Sequence, residues 1–240
     1  MITYLIVIYK NYKLLELQRK IFKNLFKDAN FKFIIVDNTP DIEKQPIEKS
    51  LNELVVYRNS VNEFDGVSHG SAINYGLSYL TTDIVCILDS DFFIVNPNIT
   101  NYITKKFNEG FVAVGAEFND GIATKSIVNK FPEKFYNIPC CFCGFYSKGL
   151  ALSNSWVVYP QEVSHATSFI EVGWRIRKHI IDNKLKTLAW NTYSNTNNNC
   201  VFVDECNNTM GIHFVGGSHR KLNFTLDDFY NEIRGFYNDE

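Results

Sequence analysis

Long hydrophobic runs are missing from this chain of 240 residues. The only apolar stretch near its start, Tyr4 to Tyr9, is too short for a membrane span or a signal-peptide core. A cytoplasmic protein is therefore expected, at most peripheral to a membrane face. An excess of either charge is also missing. The formal net charge is −2, so no broad cationic surface is implied and nucleic acid is not an expected partner. Zinc-type cysteine spacing is absent: Cys140-Cys141-Phe142-Cys143 is not a Cys-x-x-Cys pair, and no second half follows. Free thiols in a reducing compartment are expected, with Cys86 a small buried hydrophobe. Internal repeats and long linkers are lacking too, which leaves one compact unit.

What is present is an alternation of strands and helices. Strands are expected at Thr3–Ile8, Phe31–Val36, Leu54–Tyr57 and Asp83–Leu88. Helices are expected over Tyr12–Phe26, with the stripe Leu14, Leu17, Ile21 and Leu25, and over Val67–Leu80. This order predicts an α/β fold with a mainly parallel central sheet flanked by helices. Further on, strands are expected at Phe111–Phe118, Cys140–Tyr146 and Leu185–Trp190, and a helix at Thr167–Ile181. Asn195–Asn199 reads as a mobile polar loop. Leu226, Phe229, Tyr230, Ile233, Phe236 and Tyr237 follow helical spacing behind Thr225 as N-cap and Asp228 at the capping-box position.

The chemistry concentrates at Asp89-Ser90-Asp91, where the run Ile84–Leu88 leaves the sheet. Ligands of open α/β sheets bind outside the carboxyl ends of the strands. Two carboxylates about 4 Å apart repel by roughly 4 kcal/mol at a protein-surface dielectric. A divalent cation, Mg²⁺ or Mn²⁺, removes that repulsion and can in turn hold phosphate oxygens. Asp37, at the exit of strand two, is either a hydrogen-bond acceptor for a base or ribose hydroxyl or a turn aspartate. The segment Asp65 to Leu77 is a glycine-punctuated helix entry whose small residues let phosphates approach a helix N-terminus. It matches neither the dinucleotide fingerprint nor the Walker loop, which disfavours a dehydrogenase or a P-loop ATPase.

Asp37, Ala72-Ile73-Asn74-Tyr75-Gly76 and Asp89-Ser90-Asp91, in this order, make the first hundred or so residues resemble glycosyltransferase family 2 and its GT-A relatives. Two departures are Ile73, where the family often carries Arg or Lys, and Ile8-Tyr9-Lys10-Asn11 in place of Pro-Thr-Tyr-Asn. The resemblance implies a single GT-A (Rossmann-like) domain that takes a nucleotide-sugar donor, UDP-hexose first. Residues 1–98 would form the donor half, 99–222 the acceptor and catalytic half, and 223–240 a C-terminal amphipathic helix. Ile8, Tyr9, Asp37, Ser71, Asn74, Asp89, Ser90, Ser218 and Arg220 are then the implied donor contacts. Asp89, Asp91 and His213 are the implied ligands of Mn²⁺ or Mg²⁺, with His219 the runner-up. Phe169-Ile170-Glu171-Val172-Gly173-Trp174-Arg175 is similar to the family's base-bearing helix. That makes Glu171 the base of an inverting transfer, with Glu162 and His165 as competitors. Trp156, Tyr159 and Trp174 are candidate contacts for a glycan or lipid-linked sugar acceptor. Two alternatives stay open: a non-catalytic nucleotide- or glycan-binding protein of the same fold, and a sugar-phosphate nucleotidylyltransferase.

Overall fold

The β-branched runs of the first half form β1 (Ile2–Ile8), β2 (Phe31–Asp37), β3 (Glu53–Tyr57) and β4 (Ile84–Asp89). All four are parallel, in the spatial order β3-β2-β1-β4. The computed structural model describes residues 1–26, 31–59, 65–117, 137–157, 172–196, 199–214 and 233. Helices α1 (Tyr12–Leu25) and α2 (Asp65–Leu77) cover opposite faces of these strands. Phe22 of α1 packs edge-on against Tyr4, whereas Gly76 of α2 lies against the next residue, Leu5. Neighbouring strand residues point to opposite faces, so the two helices cannot share one.

The rest of the chain extends the sheet. It adds β5 (Phe92–Ile94), α3 (Ile99–Asn108), β6 (Ala113–Glu117), β7 (Pro139–Ser147), α4 (Lys148–Ser153), α5 (Trp174–Asp182), β8 (Thr187–Thr196), β9 (Asn199–Val203) and β10 (Thr209–Phe214). The result is one ten-stranded sheet, ordered β3-β2-β1-β4-β7-β6-β8-β9-β10-β5. β6 and β8 run parallel, while β7, β9, β10 and β5 join antiparallel. The fold is thus α/β, a single large sheet flanked by helices.

Several local expectations need correction. Asn195, Thr196 and Asn199 are strand residues, not loop. Asn195 pairs with Cys200 and Thr196 with Asn199 as β8 turns into β9. A backbone ladder satisfies itself whatever the side-chain polarity. The helix expected from Thr167 begins only at Trp174, because Gly173 sits at φ +86°. That left-handed backbone cannot continue a right-handed helix. α2 stops at Leu77, and the N–H groups of Ser78, Tyr79 and Leu80 turn back to Tyr75, Gly76 and Leu77 carbonyls in a tightened last turn.

α1 is buried on two sides. Leu15 and Phe22 join the main core with Tyr4, Phe26 and Phe33. Leu14, Leu17 and Ile21 form a second cluster with Phe93, Val95, Ile212 and Phe214. Ile233, the described residue of the expected C-terminal helix, is helical and wholly buried in this second cluster. Thr225 and Asp228 lie outside the described residues.

Candidate active site

Asp89 ends β4, and Ser90 and Asp91 turn the chain into β5. This turn is held from below by α1. The buried amide of Gln18 donates to the Asp89 carbonyl at 2.7 Å and to the Phe92 carbonyl at 2.8 Å. Both ends of the turn therefore hang on one side chain. Gln18 interrupts an apolar stripe, the signal from which its role was readable in the sequence.

β5 then pairs with β10 so that Phe92 lies opposite His213, and the Phe214 N–H donates to the Asp91 carbonyl at 2.9 Å. The register brings the His213 Nε2 to 3.5 Å from Asp91 Oδ1. Both groups are buried, and the imidazole stacks on Phe142 with ring centroids 4.5 Å apart. A charge in such a place must be matched by a counter-charge or strong hydrogen bonds. On the other side of the turn, His69 of α2 brings its Nε2 to 3.6 Å from Asp89 Oδ1. His69 was not among the residues singled out from the sequence. The two carboxylates thus face one imidazole each.

Carboxylate oxygen with imidazole nitrogen suits Mn²⁺ well and Mg²⁺ through the oxygens. Asp89, Asp91 and His213 fit such an ion by type and by the Asp91–His213 approach. They are not a finished cage, since no three His, Cys, Asp or Glu side chains converge on one point among the described residues.

Asp37 ends β2 at the same sheet edge but on the opposite face. In the parallel register it aligns with Ile8, whereas Asp89 aligns with Val7. Its carboxylate is fully buried toward α1, accepting the Tyr12 hydroxyl at 2.9 Å and the Thr39 N–H at 3.0 Å. The second contact is an Asx turn. Burial raises the Tyr12 pKa, and the Asp37 carboxylate adds to the rise. Ile8 is also corrected: its side chain is wholly buried and its carbonyl accepts the Asn38 N–H at 2.9 Å. Tyr9, next along, is exposed.

The Ala-x-Asn-x-Gly element is a packing device here. Both ends of the Asn74 amide are engaged: it donates to the Ser155 hydroxyl at 3.0 Å and accepts the Trp156 N–H at 3.1 Å. A Cβ on Gly70 would sit 2.6 Å from the Trp156 carbonyl oxygen. The 155–157 segment approaches these small residues closely. Ser71 is half-exposed on α2 and Ser90 is buried in the turn.

Trp156 is core, not an acceptor platform. Its side chain is 0% exposed, its indole N–H donates to the Ala151 carbonyl at 3.0 Å, and its ring packs edge-on against Tyr146. Trp174, first residue of α5, is half-exposed. Tyr159, Glu162, His165, Glu171, Ser218, His219 and Arg220 lie outside the described residues. The chain following Glu171 is described: the Gly173 N–H reaches the Trp156 carbonyl at 3.4 Å. Glu117, unnoticed in the sequence, ends β6 at the same edge as Asp89, and burial raises its carboxyl pKa against a backbone hydrogen bond from Asn137.

Among solved structures, the chain is similar to the mannosyltransferase PcManGT from Pyrobaculum calidifontis, solved with GDP-Man and Mn²⁺. The identity is 14% and the TM-score 0.50, over 78% of this chain and 53% of that one. S. aureus TarS 1-349 follows at 15% identity and TM-score 0.45, over 70% and 52%. The galactosyltransferase LgtC, solved with donor and acceptor sugar analogues, has 12% identity and TM-score 0.42, over 61% and 58%. The chain spans little more than half the length of these relatives. At such identity the likeness to PcManGT is one of fold, the GT-A arrangement. No curated protein sequence matches the chain. The family model of glycosyl transferase family 2 matches residues 4–141, more than half of the chain, and the chain belongs to that family.

Proposed function

We propose that this chain transfers a hexose from a nucleoside-diphosphate sugar, UDP-linked as first choice, to a glycan or lipid-linked sugar, with Mn²⁺ or Mg²⁺ as cofactor. The observation that carries the reading is the pair Asp89 and Asp91 at the carboxyl end of β4, with Asp91 buried beside His213. Residues 1–98 serve the donor and residues 99–222 the acceptor and the transfer. A cytoplasmic site of action, at a membrane face where the acceptor is lipid-linked, goes with this reading. Among the described residues, no helix is long and apolar enough to cross a membrane.

Asp89, Asp91 and His213 would hold the ion. When bound, it offsets the charge on the departing nucleoside diphosphate, an effect of several kcal/mol in such enzymes. Ser218 and Arg220 follow β10 in sequence, and their donors suit phosphate oxygens. Tyr9, Ser71 and Ser90 remain donor contacts in this reading. Asp37 contacts the base only if its bond to Tyr12 gives way.

Glu171 is the proposed base for an inverting attack by the acceptor hydroxyl. The seating of Gly173 beside Trp156 and Cys141 supports it, because Cys141 belongs to the end of β7 that neighbours the Asp89 edge. Trp174 and Tyr159 are the proposed acceptor contacts.

The test is a melting screen of nucleotide sugars, each with and without Mn²⁺. A donor at about 100 times its Kd adds about 2.7 kcal/mol, which is roughly 5–10 °C in a chain of this size. The expected result is one donor that stabilises only with metal, and loss of that shift in Asp91→Asn. Glu171→Gln is expected to keep the shift and lose transfer by 100-fold or more, on the order of a general-base contribution. A flat response across UDP-, GDP-, dTDP- and CMP-sugars sinks the donor-site reading. Near-normal transfer by Glu171→Gln sinks the base assignment.

A further inference from the structure

His69 stands outside the ligand set assigned above, yet its imidazole points at that set. Nε2 lies 3.6 Å from Asp89 Oδ1, and each side chain is 28% exposed. The mount of this imidazole is held on both sides. Before it, the Asn38 amide donates to the Ser68 hydroxyl at 2.8 Å and to the Ser68 carbonyl at 3.4 Å. Asn38 is itself held by the Arg58 guanidinium at 2.8 Å. After it, Gly70 is pressed so closely on the Trp156 backbone that a Cβ would not fit. The Asp89 backbone is also held, through its carbonyl, by Gln18. Two side chains on fixed backbones therefore meet across a short gap.

A carboxylate on a fixed backbone still rotates about its side-chain bonds. A donor at its flank removes that freedom, and such outer partners of metal-binding groups matter to affinity about 10–100-fold. The 3.6 Å approach is longer than a formed hydrogen bond. Contacts of this kind often tighten only once the site is loaded. The approach of His69 is to the Asp89 carboxylate, from the α2 face.

We infer that His69 is a positioning residue: from the α2 face it orients the Asp89 carboxylate for a divalent cation, without itself ligating the ion. This rests on the reading of Asp89 and Asp91 as ion ligands.

The test is direct Mn²⁺ titration of the full chain, without donor, read from the electron paramagnetic resonance of the free ion. The unaltered protein is compared with His69→Ala, His69→Gln and Asp91→Asn. His69→Ala is expected to weaken Mn²⁺ binding about 10–100-fold, with its metal-free melting temperature unchanged. His69→Gln keeps an N–H donor and recovers part of the loss. If the Ala variant does not fold, the Gln variant alone carries the comparison, with a smaller loss expected. Spin-echo modulation from nitrogen bound to Mn²⁺ is expected to be the same in the unaltered protein and the His69 variants. Unweakened binding by both His69 variants, with Asp91→Asn defective, overturns the role of His69 alone. Loss of a directly bound nitrogen in His69→Ala also overturns it, making His69 a ligand. Absence of Mn²⁺ binding by the unaltered protein, or undiminished binding by Asp91→Asn, overturns the ion site itself and this inference with it.

Discussion

Gln18 shows how a single residue can set the geometry of a site it never touches as a ligand. Its amide spans the carbonyls of Asp89 and Phe92, 71 and 74 residues away along the chain. Replacing it by Leu leaves the buried Phe92 carbonyl without that donor, at about 1–3 kcal/mol, and the part-buried Asp89 carbonyl without it as well. Gln18→Leu is therefore expected to lower the denaturation midpoint and to shrink the metal-dependent donor shift. A variant with lowered stability but a full donor shift would show that the turn keeps its shape unaided. Asp37 teaches a different lesson at this scale. Its place at the sheet edge was legible from the strand before it. The face it serves was not, because one residue of register decides between α1 and α2.

At the scale of elements, α2 is the part whose sequence motif and physical role diverge most. Its small residues read as room for a ligand, and in the structure they make room for protein packing. Gly76 seats the helix on Leu5 and Val36, while Gly70 and Asn74 seat the 155–157 segment on the helix. Gly70→Ala would force backbone against backbone, and overpacking of this kind costs about 1–3 kcal/mol. The expected outcome is that loss in chemical denaturation, larger than for Gly149→Ala, where a Cβ meets nothing. Equal effects at the two positions would refute the packing account of the motif. α3 carries a helical signal in its sequence. Ile99 and Ile103 are its buried positions, and Gly110 at φ +87° ends it, with the Phe111 N–H returning to the Lys106 carbonyl.

At the scale of the whole molecule, β5, β10, α1 and Ile233 close one apolar cluster over the turn that carries Asp91. Ile233, from the stripe of the expected C-terminal helix, packs into this cluster. Ile233→Ala removes a wholly buried side chain and is expected to cost 2–5 kcal/mol in unfolding free energy. It is also expected to lower the stability of the metal-free protein and of the donor complex alike, since the cluster supports both. An effect below 0.5 kcal/mol, the scale of an ordinary surface substitution, would mean that Ile233 does not seal this cluster.

The sequence by itself determined the four strands of a mainly parallel core and the position of Asp89-Ser90-Asp91 at its rim. Short β-branched runs, helical stripes and a carboxylate pair are local patterns, and strands so spaced fold in few ways. It also marked His213 through the family resemblance. Only the tertiary structure decided what faces those carboxylates. His69 and His213 arrive from 20 residues before Asp89 and 122 after Asp91, through helix packing and an antiparallel register that no local pattern encodes. The same long-range pairing turned Trp156 into core and put Asn195, Thr196 and Asn199 into paired strands. Burial and register are properties of what lies opposite a residue, and the chain order alone does not say what that will be.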